Sequence, residues 1–232
     1  MQVSSCFWKL GKETGSWPKI ELNPKPLPPM LQRRLTPLGQ RALEMLYNCS
    51  SLPNSEQIPW VVSCRHGDMH RMVNLLSSLA KNEPLSPVDF SLSVHNAIIG
   101  AFSILTKNKK PHTALSGAEL SLEMGLLEAF ALQKEKKGTV GYIYYDMPLP
   151  QQYKGKIKND CSEVCLAFLL SDKECLELSS EVLYLSYETT EANMLTKKSC
   201  DFYCLLEFLK DDTEKYELRV PGGYLLLQRV CK

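Results

Sequence analysis

Apolar residues along the chain occur either in short continuous runs or at helical spacing. The continuous runs predict buried strands at residues 2–9, 58–64, 112–115, 139–145, 163–170 and 181–187, and a closing strand or helix end at 224–230. The helical spacing predicts a helix that opens near residue 36 and helices over residues 69–80, 94–105, 119–133 and 202–210. Because strands and helices alternate through the first two-thirds of the chain, we expect an α/β fold with a mainly parallel mixed sheet flanked by helices.

Capping residues and apolar spacing orient these helices. Thr36 is the predicted N-cap of the first helix, with Pro37 in its first turn, and Ser93 is the predicted cap of the helix over 94–105. The predicted core face of the helix over 69–80 consists of Met72, Leu75, Leu76 and Leu79. The helix over 119–133 is apolar on nearly every side, which is typical of a helix buried on several faces, and we expect Glu128 to be a buried acceptor.

A proline-dense segment, residues 17–29, separates the first strand from the first helix. Proline fixes φ and removes a backbone donor, so this segment is neither a helix nor a central strand. It is either a free linker or an ordered loop that packs over the domain, and we expect the ordered loop.

Composition excludes several classes of function. The chain has 232 residues, 44% of them hydrophobic, and a formal net charge of +1, which offers no electrostatic basis for binding nucleic acid. No apolar run is long enough to span a bilayer. The first nine residues lack the pattern of a signal peptide, so we expect a cytoplasmic protein.

The nine cysteines predict free thiols rather than disulfides or a metal site. Their number is odd, and no Cys-x-x-Cys pair occurs. Cys64, Cys165 and Cys204 each lie in an apolar pattern that predicts burial. His66 and His70 would share a helix face, but Gly67 stands where a zinc-protease motif has Glu. We therefore expect no metal and no cofactor.

Four motifs carry a family resemblance: Ser63-Cys-Arg-His-Gly67, Ser86-Pro-x-x-Phe-Ser-x-Ser-Val-His-Asn-Ala97, Gly125-Leu-Leu-Glu-Ala129 and Tyr144-Tyr-Asp-Met-Pro-Leu-Pro150. Together they resemble stand-alone β-ketoacyl synthase N-terminal-like proteins of the thiolase-like superfamily. These proteins are often called chain-length-factor-like and are linked with aryl polyene and related fatty-acid-type pathways. The resemblance implies one domain over residues 1–232, in which 1–170 match the family core and 171–232 form a divergent C-terminal extension.

The resemblance also implies that the chain is not an autonomous condensing enzyme. Synthases of this superfamily carry a cysteine at the N-terminus of the buried helix, where the helix dipole favours the thiolate. Counting back from Gly125 places that position among residues 118–121, where no cysteine occurs. The family's two catalytic histidines come from a second half of the fold, for which too few residues follow residue 170.

The function implied is therefore that of a non-catalytic partner. The expected companions are a full-length ketosynthase and an acyl carrier protein, or a second copy of the chain. The residues expected at an acyl pocket or interface are His95, Asn96, Phe102, Leu120 and Met124. The lysine clusters at residues 107–110 and 134–137 are either solvated turns or a surface for the acidic carrier protein.

An enzymatic alternative rests on two serines. Ser116, paired with His95 or His112, could form an acyl-transfer site, and a hydrolase or transferase of acyl thioesters could use Ser116 or Ser121. The motif around Ser116 lacks the first glycine of a nucleophile elbow. In the structural interpretation, Ser116 or Ser121 binds backbone groups in a strand-to-helix turn.

Overall fold

The computed structural model describes residues 1–18, 25–53, 55–153, 163–172, 181–189, 202–211 and 213–231. The strands are β1 (Gln2–Leu10), β2 (Glu13–Trp17), β3 (Trp60–Ser63), β4 (His112–Leu115), β5 (Val140–Asp146), β6 (Val164–Ser171), β7 (Glu181–Thr189), β8 (Lys215–Val220) and β9 (Gly223–Cys231). The helices are α1 (Pro29–Arg34), α2 (Pro37–Cys49), α3 (Met69–Ala80), α4 (Pro87–Ser91), α5 (Ala97–Thr106), α6 (Ser121–Lys136) and α7 (Phe202–Lys210). Among the described residues, no helix has the length and apolar character that crossing a bilayer requires.

The described strands form one mixed sheet in the order β4-β3-β5-β6-β1-β7-β9-β8, with β2 paired to β1. The predicted α/β class and the mixed sheet flanked by helices are confirmed. The parallel part is smaller than predicted, because β3 pairs in parallel with β4 and β5 while every other described pair is antiparallel. β3, β4 and β5 are joined through helices that cross a face of the sheet, and such crossovers are what parallel pairing requires.

One face of the sheet is covered by α2 and α5. Thr36 accepts a hydrogen bond from the backbone N–H of Gly39, so the predicted N-cap of α2 is confirmed. The apolar face of α2 is buried as its spacing predicts, through Leu38, Ala42, Leu43 and Leu46. Leu27, only 2% exposed, joins the same core. The described end of the proline-dense segment therefore packs on the domain, as expected of an ordered loop.

The opposite face carries α6, and the sheet curls around this helix. α6 contacts β3, β5 and β6 and also β8, which stands at the far end of the strand order. A sheet that contacts one helix from both of its ends must wrap around that helix. The prediction of a helix buried on several faces is confirmed, although its bounds move to Ser121–Lys136 after a single 3₁₀ turn, Ala118–Leu120.

Gly125 allows α6 to approach the sheet closely. The hydroxyls of Ser63 and Tyr142 lie 2.8 Å apart, and the Tyr142 hydroxyl donates to the backbone oxygen of Leu122 at 2.7 Å. A Cβ atom at Gly125 would stand 2.5 Å from Ser63 Oγ and 2.5 Å from Tyr142 Cε2. Both distances are far inside van der Waals contact, so the helix fits here only without a side chain at this position.

Several predicted elements require correction. β2, α1, α4 and β8 were not predicted, since each is short or lies beside proline. α5 begins at Ala97 rather than at residue 94, and its N-cap is Asn96. Ser93 does not cap this helix but donates to the backbone oxygen of Phe90 at 2.8 Å.

Four side chains predicted to be buried are exposed. Leu76 and Leu79 are 48% and 58% exposed, and the buried residues of α3 are Arg71 and Leu75. Cys204 is exposed on α7, whereas Cys64 and Cys165 are buried free thiols as predicted.

Glu128 of α6 is the fourth side chain that was predicted to be buried and is exposed. The buried carboxylate of α6 is instead that of Glu123, which is 1% exposed. Five residues separate the two, which places them about 140° apart around the helix. The helix therefore buries the side that carries Glu123 and leaves Glu128 in solvent.

Candidate functional site

Three parallel strands end at one edge of the sheet, and the turns that follow them meet there. Ser63 at the end of β3 lies opposite Leu115 of β4 and Tyr144 of β5. We name this region the strand-end edge; it comprises residues 64–68 after β3, 116–120 after β4, and 146–150 at the end of β5 and beyond it. Ser116 Oγ donates to the backbone oxygen of Arg65 at 2.9 Å and so ties two of the turns together. Open α/β sheets bind ligands at such an edge.

The turn before α6 is the place where the resemblance puts a catalytic cysteine. Its residues are Ala118, Glu119, Leu120 and Ser121, and none carries a thiol. Ala118 is exposed and has a φ of 51°, a left-handed conformation that residues other than glycine seldom adopt. The backbone thus turns sharply at the mouth of the buried helix and presents a methyl group there.

Both candidate serines bind backbone groups. Ser116 Oγ donates to Arg65, as described above, and Ser121 Oγ donates to the Ala118 oxygen at 2.7 Å and accepts from the Gly117 N–H at 3.0 Å. Within the described part of the chain, neither hydroxyl is hydrogen-bonded to a histidine. The geometry matches the structural interpretation of a strand-to-helix turn.

The two candidate histidines contact residues other than the candidate serines. His95 Nδ1 lies 2.9 Å from Cys64 Sγ, which brings the loop before α5 onto the strand-end edge. His112, at the start of β4, is half-buried and meets the Phe102 ring edge to face at 6.2 Å between ring centroids. Neither ring nitrogen of His112 has a hydrogen-bond partner among the described residues, and burial lowers the pKa of its imidazole.

Cys64 is a buried, protonated thiol and not an activated nucleophile. Burial raises its pKa to about 12, although hydrogen bonds from the Tyr145 hydroxyl and from the Gly67 N–H lower it. A group with that pKa carries almost no thiolate at neutral pH, and thiolate is the reactive form. A Cβ atom at Gly67, whose φ is +65°, would stand 3.2 Å from His95 Cε1, so this glycine lets the imidazole lie close over the turn.

A buried ion pair joins the turns after β3 and β5. Arg65 Nε lies 3.2 Å from Asp146 Oδ2, and both side chains are almost fully buried. The Tyr144 hydroxyl donates to the same carboxylate oxygen at 3.2 Å, and Asp146 Oδ1 accepts from the Met147 N–H at 3.1 Å. A charge pair with these further hydrogen bonds fixes the relative position of the two turns.

Arg71 connects α1, α3 and α4, and the sequence prediction missed it. Asp68 caps α3 by accepting from the Arg71 N–H at 3.1 Å, and its other carboxylate oxygen accepts from the Thr36 hydroxyl at 2.8 Å. The guanidinium of Arg71 pairs with Asp68 and Asp89 and donates to the backbone oxygen of Arg34 at 2.7 Å. The signal was an acidic N-cap followed three residues later by arginine, at the start of a correctly predicted helix.

The residues predicted at an acyl pocket or interface lie in three different places. Phe102 is fully buried on the α5 face of the sheet, edge to face with Trp60 at 5.8 Å. Leu120 and Met124 are half-buried at the start of α6, on the opposite face. His95 and Asn96 are exposed beside the strand-end edge.

The histidine pair considered for a metal is also separated. α3 begins at Met69, so His66 lies outside the helix, and His70 Nε2 stands 3.1 Å from the backbone oxygen of Pro148. In the described part of the chain, no group of three His, Cys, Asp or Glu side chains is arranged to hold a metal ion.

Two surfaces of the described chain are open. β4 pairs only with β3 among the described strands, so one side of its backbone faces outward at the end of the sheet. Large apolar side chains are exposed along residues 76–94, namely Leu76, Leu79, Leu85, Val88, Phe90 and Val94. Open strand edges and clustered apolar side chains are the features that protein partners cover.

The family model described as "Beta-ketoacyl synthase, N-terminal domain" matches residues 8–222. The chain belongs to this family. The resemblance carried by the four motifs is thereby confirmed, and the match continues well beyond residue 170. None of the curated proteins compared with the chain matches it.

Solved structures agree on the thiolase-like fold of this ketosynthase family. One chain of a complex of a ketosynthase (ApeO) with its chain length factor (ApeC) from Xenorhabdus doucetiae is 22% identical, with a TM-score of 0.68 over 91% of this chain and 84% of that one. The ishigamide ketosynthase/chain length factor is 16% identical, with a TM-score of 0.58 over 74% of this chain and 54% of that one. The complex AntDE:AntF, a type II polyketide synthase acyl carrier protein with its ketosynthase, gives 14% identity and a TM-score of 0.51 over 71% of this chain and 56% of that one.

Proposed function

We propose that this chain is a non-catalytic ketosynthase-like subunit that pairs with a full-length ketosynthase in acyl chain synthesis of the fatty-acid or aryl-polyene type. The observation that carries the proposal is the turn before α6. This turn has the sharp left-handed bend at Ala118 and the buried helix behind it, but no residue in it supplies a nucleophilic thiol. Cys64 does not replace it, because its sulfur is buried and its pKa is raised to about 12.

The solved complexes that this chain resembles suggest which proteins it pairs with. One matched complex joins a ketosynthase to its chain length factor, and another joins a ketosynthase to its acyl carrier protein. By analogy, the active-site cysteine would come from the partner ketosynthase, and the carrier protein would bind the pair. The lysine clusters at 107–110 and 134–137 precede β4 and β5, so they lie at the edge of the sheet opposite the strand-end edge. A carrier protein bound to them would not face that site.

The open side of β4 is the proposed docking edge. The Leu115 oxygen accepts from the Cys64 N–H, so the backbone groups of Leu115 face β3. Successive residues of a strand point their backbone groups to opposite sides, and those of Ala114 therefore face outward. A partner strand added here would extend the sheet, and the apolar side chains of residues 76–94 would be buried beside it.

Substitutions at Ala114 test this docking edge. Ala114→Pro removes an outward backbone donor without touching the β3 ladder, and edge strands tolerate proline at such a position. Ala114→Ser keeps the donor and serves as the matched control. Each chain is co-expressed with the ketosynthase encoded in the same source, and the complex is measured by size-exclusion chromatography with light scattering.

We expect the unchanged chain and Ala114→Ser to form an equimolar complex, and we expect Ala114→Pro to elute alone. A chain that forms only homo-oligomers, or a complex that Ala114→Pro leaves intact, would refute the proposed mode of pairing. Turnover of acyl thioesters by the isolated chain, lost on Ser116→Ala, would instead support the enzymatic alternative.

A further inference from the structure

A cavity of about 360 Å³ lies between the end of α1, the start of α2, the exposed face of α3 and α4. It lies beside the Arg71 network and apart from the turn before α6. Arg33, Arg34 and Arg71 all contribute to its wall. Asp89 is the only carboxylate among the lining residues, and it is already paired with Arg71.

Several residues that line this cavity carry hydrogen-bond donors without a partner. The guanidinium groups of Arg33 and Arg34 have no hydrogen-bond or ion-pair partner among the residues that the structure describes. The same holds for the side chains of Asn74 and Ser78, and the Ser86 hydroxyl serves only as an acceptor, for the N–H of α4, so its own proton is unused. The cavity therefore combines two unpaired positive charges with three neutral donors.

Two backbone acceptors in the wall of the cavity are already occupied. The Arg34 oxygen accepts from Arg71 at 2.7 Å, and the Leu35 oxygen accepts from the Gln40 side chain at 3.1 Å. The unpaired charges of the lining are positive, and several of its donors are unused. A ligand with negative charge and several acceptor oxygens fits this lining.

We propose that this cavity binds a phosphate monoester. Two arginines each offer a forked pair of donors, which matches the oxygens of a phosphate better than any single point charge does. A carboxylate has two oxygens, whereas a phosphate monoester has three terminal oxygens and up to two charges for the same five donor groups. The cavity is larger than a phosphate, and Leu35, Leu75 and Leu85 in its wall suit the short organic arm of an ester.

Binding is measured by isothermal titration calorimetry on the isolated full chain, at constant ionic strength. The probes are inorganic phosphate, propyl phosphate, butyrate and sodium chloride. We expect propyl phosphate to bind more tightly than inorganic phosphate and at least tenfold more tightly than butyrate, with no binding of chloride above background. Because the isolated chain is used, the result does not depend on whether the chain pairs with a ketosynthase.

The double variant Arg33→Gln/Arg34→Gln should weaken binding of propyl phosphate at least tenfold. Arg219→Gln, an exposed arginine of β8 outside the cavity, is the control for loss of one positive charge and should bind as the unchanged chain does. Both variants replace exposed side chains, so both should keep the melting temperature of the unliganded chain. Equal affinity for the unchanged chain and the double variant would overturn the proposal, and so would butyrate binding as tightly as propyl phosphate.

Discussion

Replacing Gly125 by alanine tests whether direct contact with the sheet holds α6 in place. The added Cβ would stand 2.5 Å from Ser63 Oγ, so either the helix shifts or the hydroxyls of Ser63 and Tyr142 separate. Overpacking of a core costs about 1–3 kcal/mol. Loss of a buried hydrogen bond costs about 1 kcal/mol more, and the better helix propensity of alanine returns about 1 kcal/mol. We expect a net destabilisation of about 2 kcal/mol.

The same substitution at Gly100 is the matched control. Gly100 lies in α5 and is exposed, and a Cβ atom added there would meet no neighbouring atom within 4 Å. Gly100→Ala should therefore stabilise the protein by about 0.5–1 kcal/mol through helix propensity alone. With a urea m-value of about 3 kcal/mol/M, the Gly125→Ala midpoint should fall by about 0.7 M and the Gly100→Ala midpoint should rise slightly.

Urea unfolding followed by circular dichroism measures both effects. Adding Ser63→Ala to Gly125→Ala should recover part of the lost stability, because it removes the nearest clashing atom, and non-additivity of the two changes reports their contact. If Gly125→Ala proves as stable as Gly100→Ala, the close approach of α6 to the sheet is wrong.

Three further predictions concern other described residues. Burial lowers the pKa of His112 below its unfolded value of about 6.5, so the unfolded chain binds more protons in acid than the folded chain does. The free energy of unfolding should therefore fall as the pH drops below about 6.5. His112→Phe should make this fall smaller in urea melts measured over a range of pH. Iodoacetamide applied to the native protein should label Cys204 and spare Cys64, as peptide mass spectrometry would reveal, and equal labelling would contradict the burial of Cys64. Arg71→Ala should lower the free energy of unfolding by about 3 kcal/mol in thermal or urea melts, because it leaves Asp68 and Asp89 without their cation. Arg219→Ala, the control, should change it by less than about 0.5 kcal/mol.

Local signals predicted much of this fold. The bounds of α3 and β4 match the sequence prediction, and Thr36 caps α2 as expected, since capping and periodicity depend on neighbours in the chain. The exposure of Leu76 and Leu79 could not be predicted in this way, because apolar spacing shows that a helix has an apolar face but not whether this chain covers it. The prediction of a mainly parallel sheet was wrong for most strand pairs, because local spacing does not show which distant strands pair. β1, for example, pairs antiparallel with β6, which lies about 150 residues further along the chain.

The sequence predicted positions for the candidate site but not its contacts. Counting back from Gly125 leads to residues 118–121, which form the turn before α6 and the first residue of that helix and contain no cysteine. The contact of Cys64 with His95 and the pairing of Arg71 with Asp89 join distant segments, and no spacing rule reports them. Phe102 was grouped with Met124 through the family resemblance, although the sheet separates their helices, α5 and α6.

The central place of β1 in the sheet has a consequence for synthesis on the ribosome. β1 lies between β6 and β7, and Ser4 donates to the backbone oxygen of Leu169, 165 residues further along the chain. At about 5–20 residues per second, this apolar strand waits roughly 10–30 s before its first neighbour in the main sheet is translated. Among the described strands that pair with β1, β2 is the one that has been translated during that interval. β1 is therefore translated long before the strands that pair with both of its sides, and we expect chaperones or slow expression at low temperature to reduce aggregation through it.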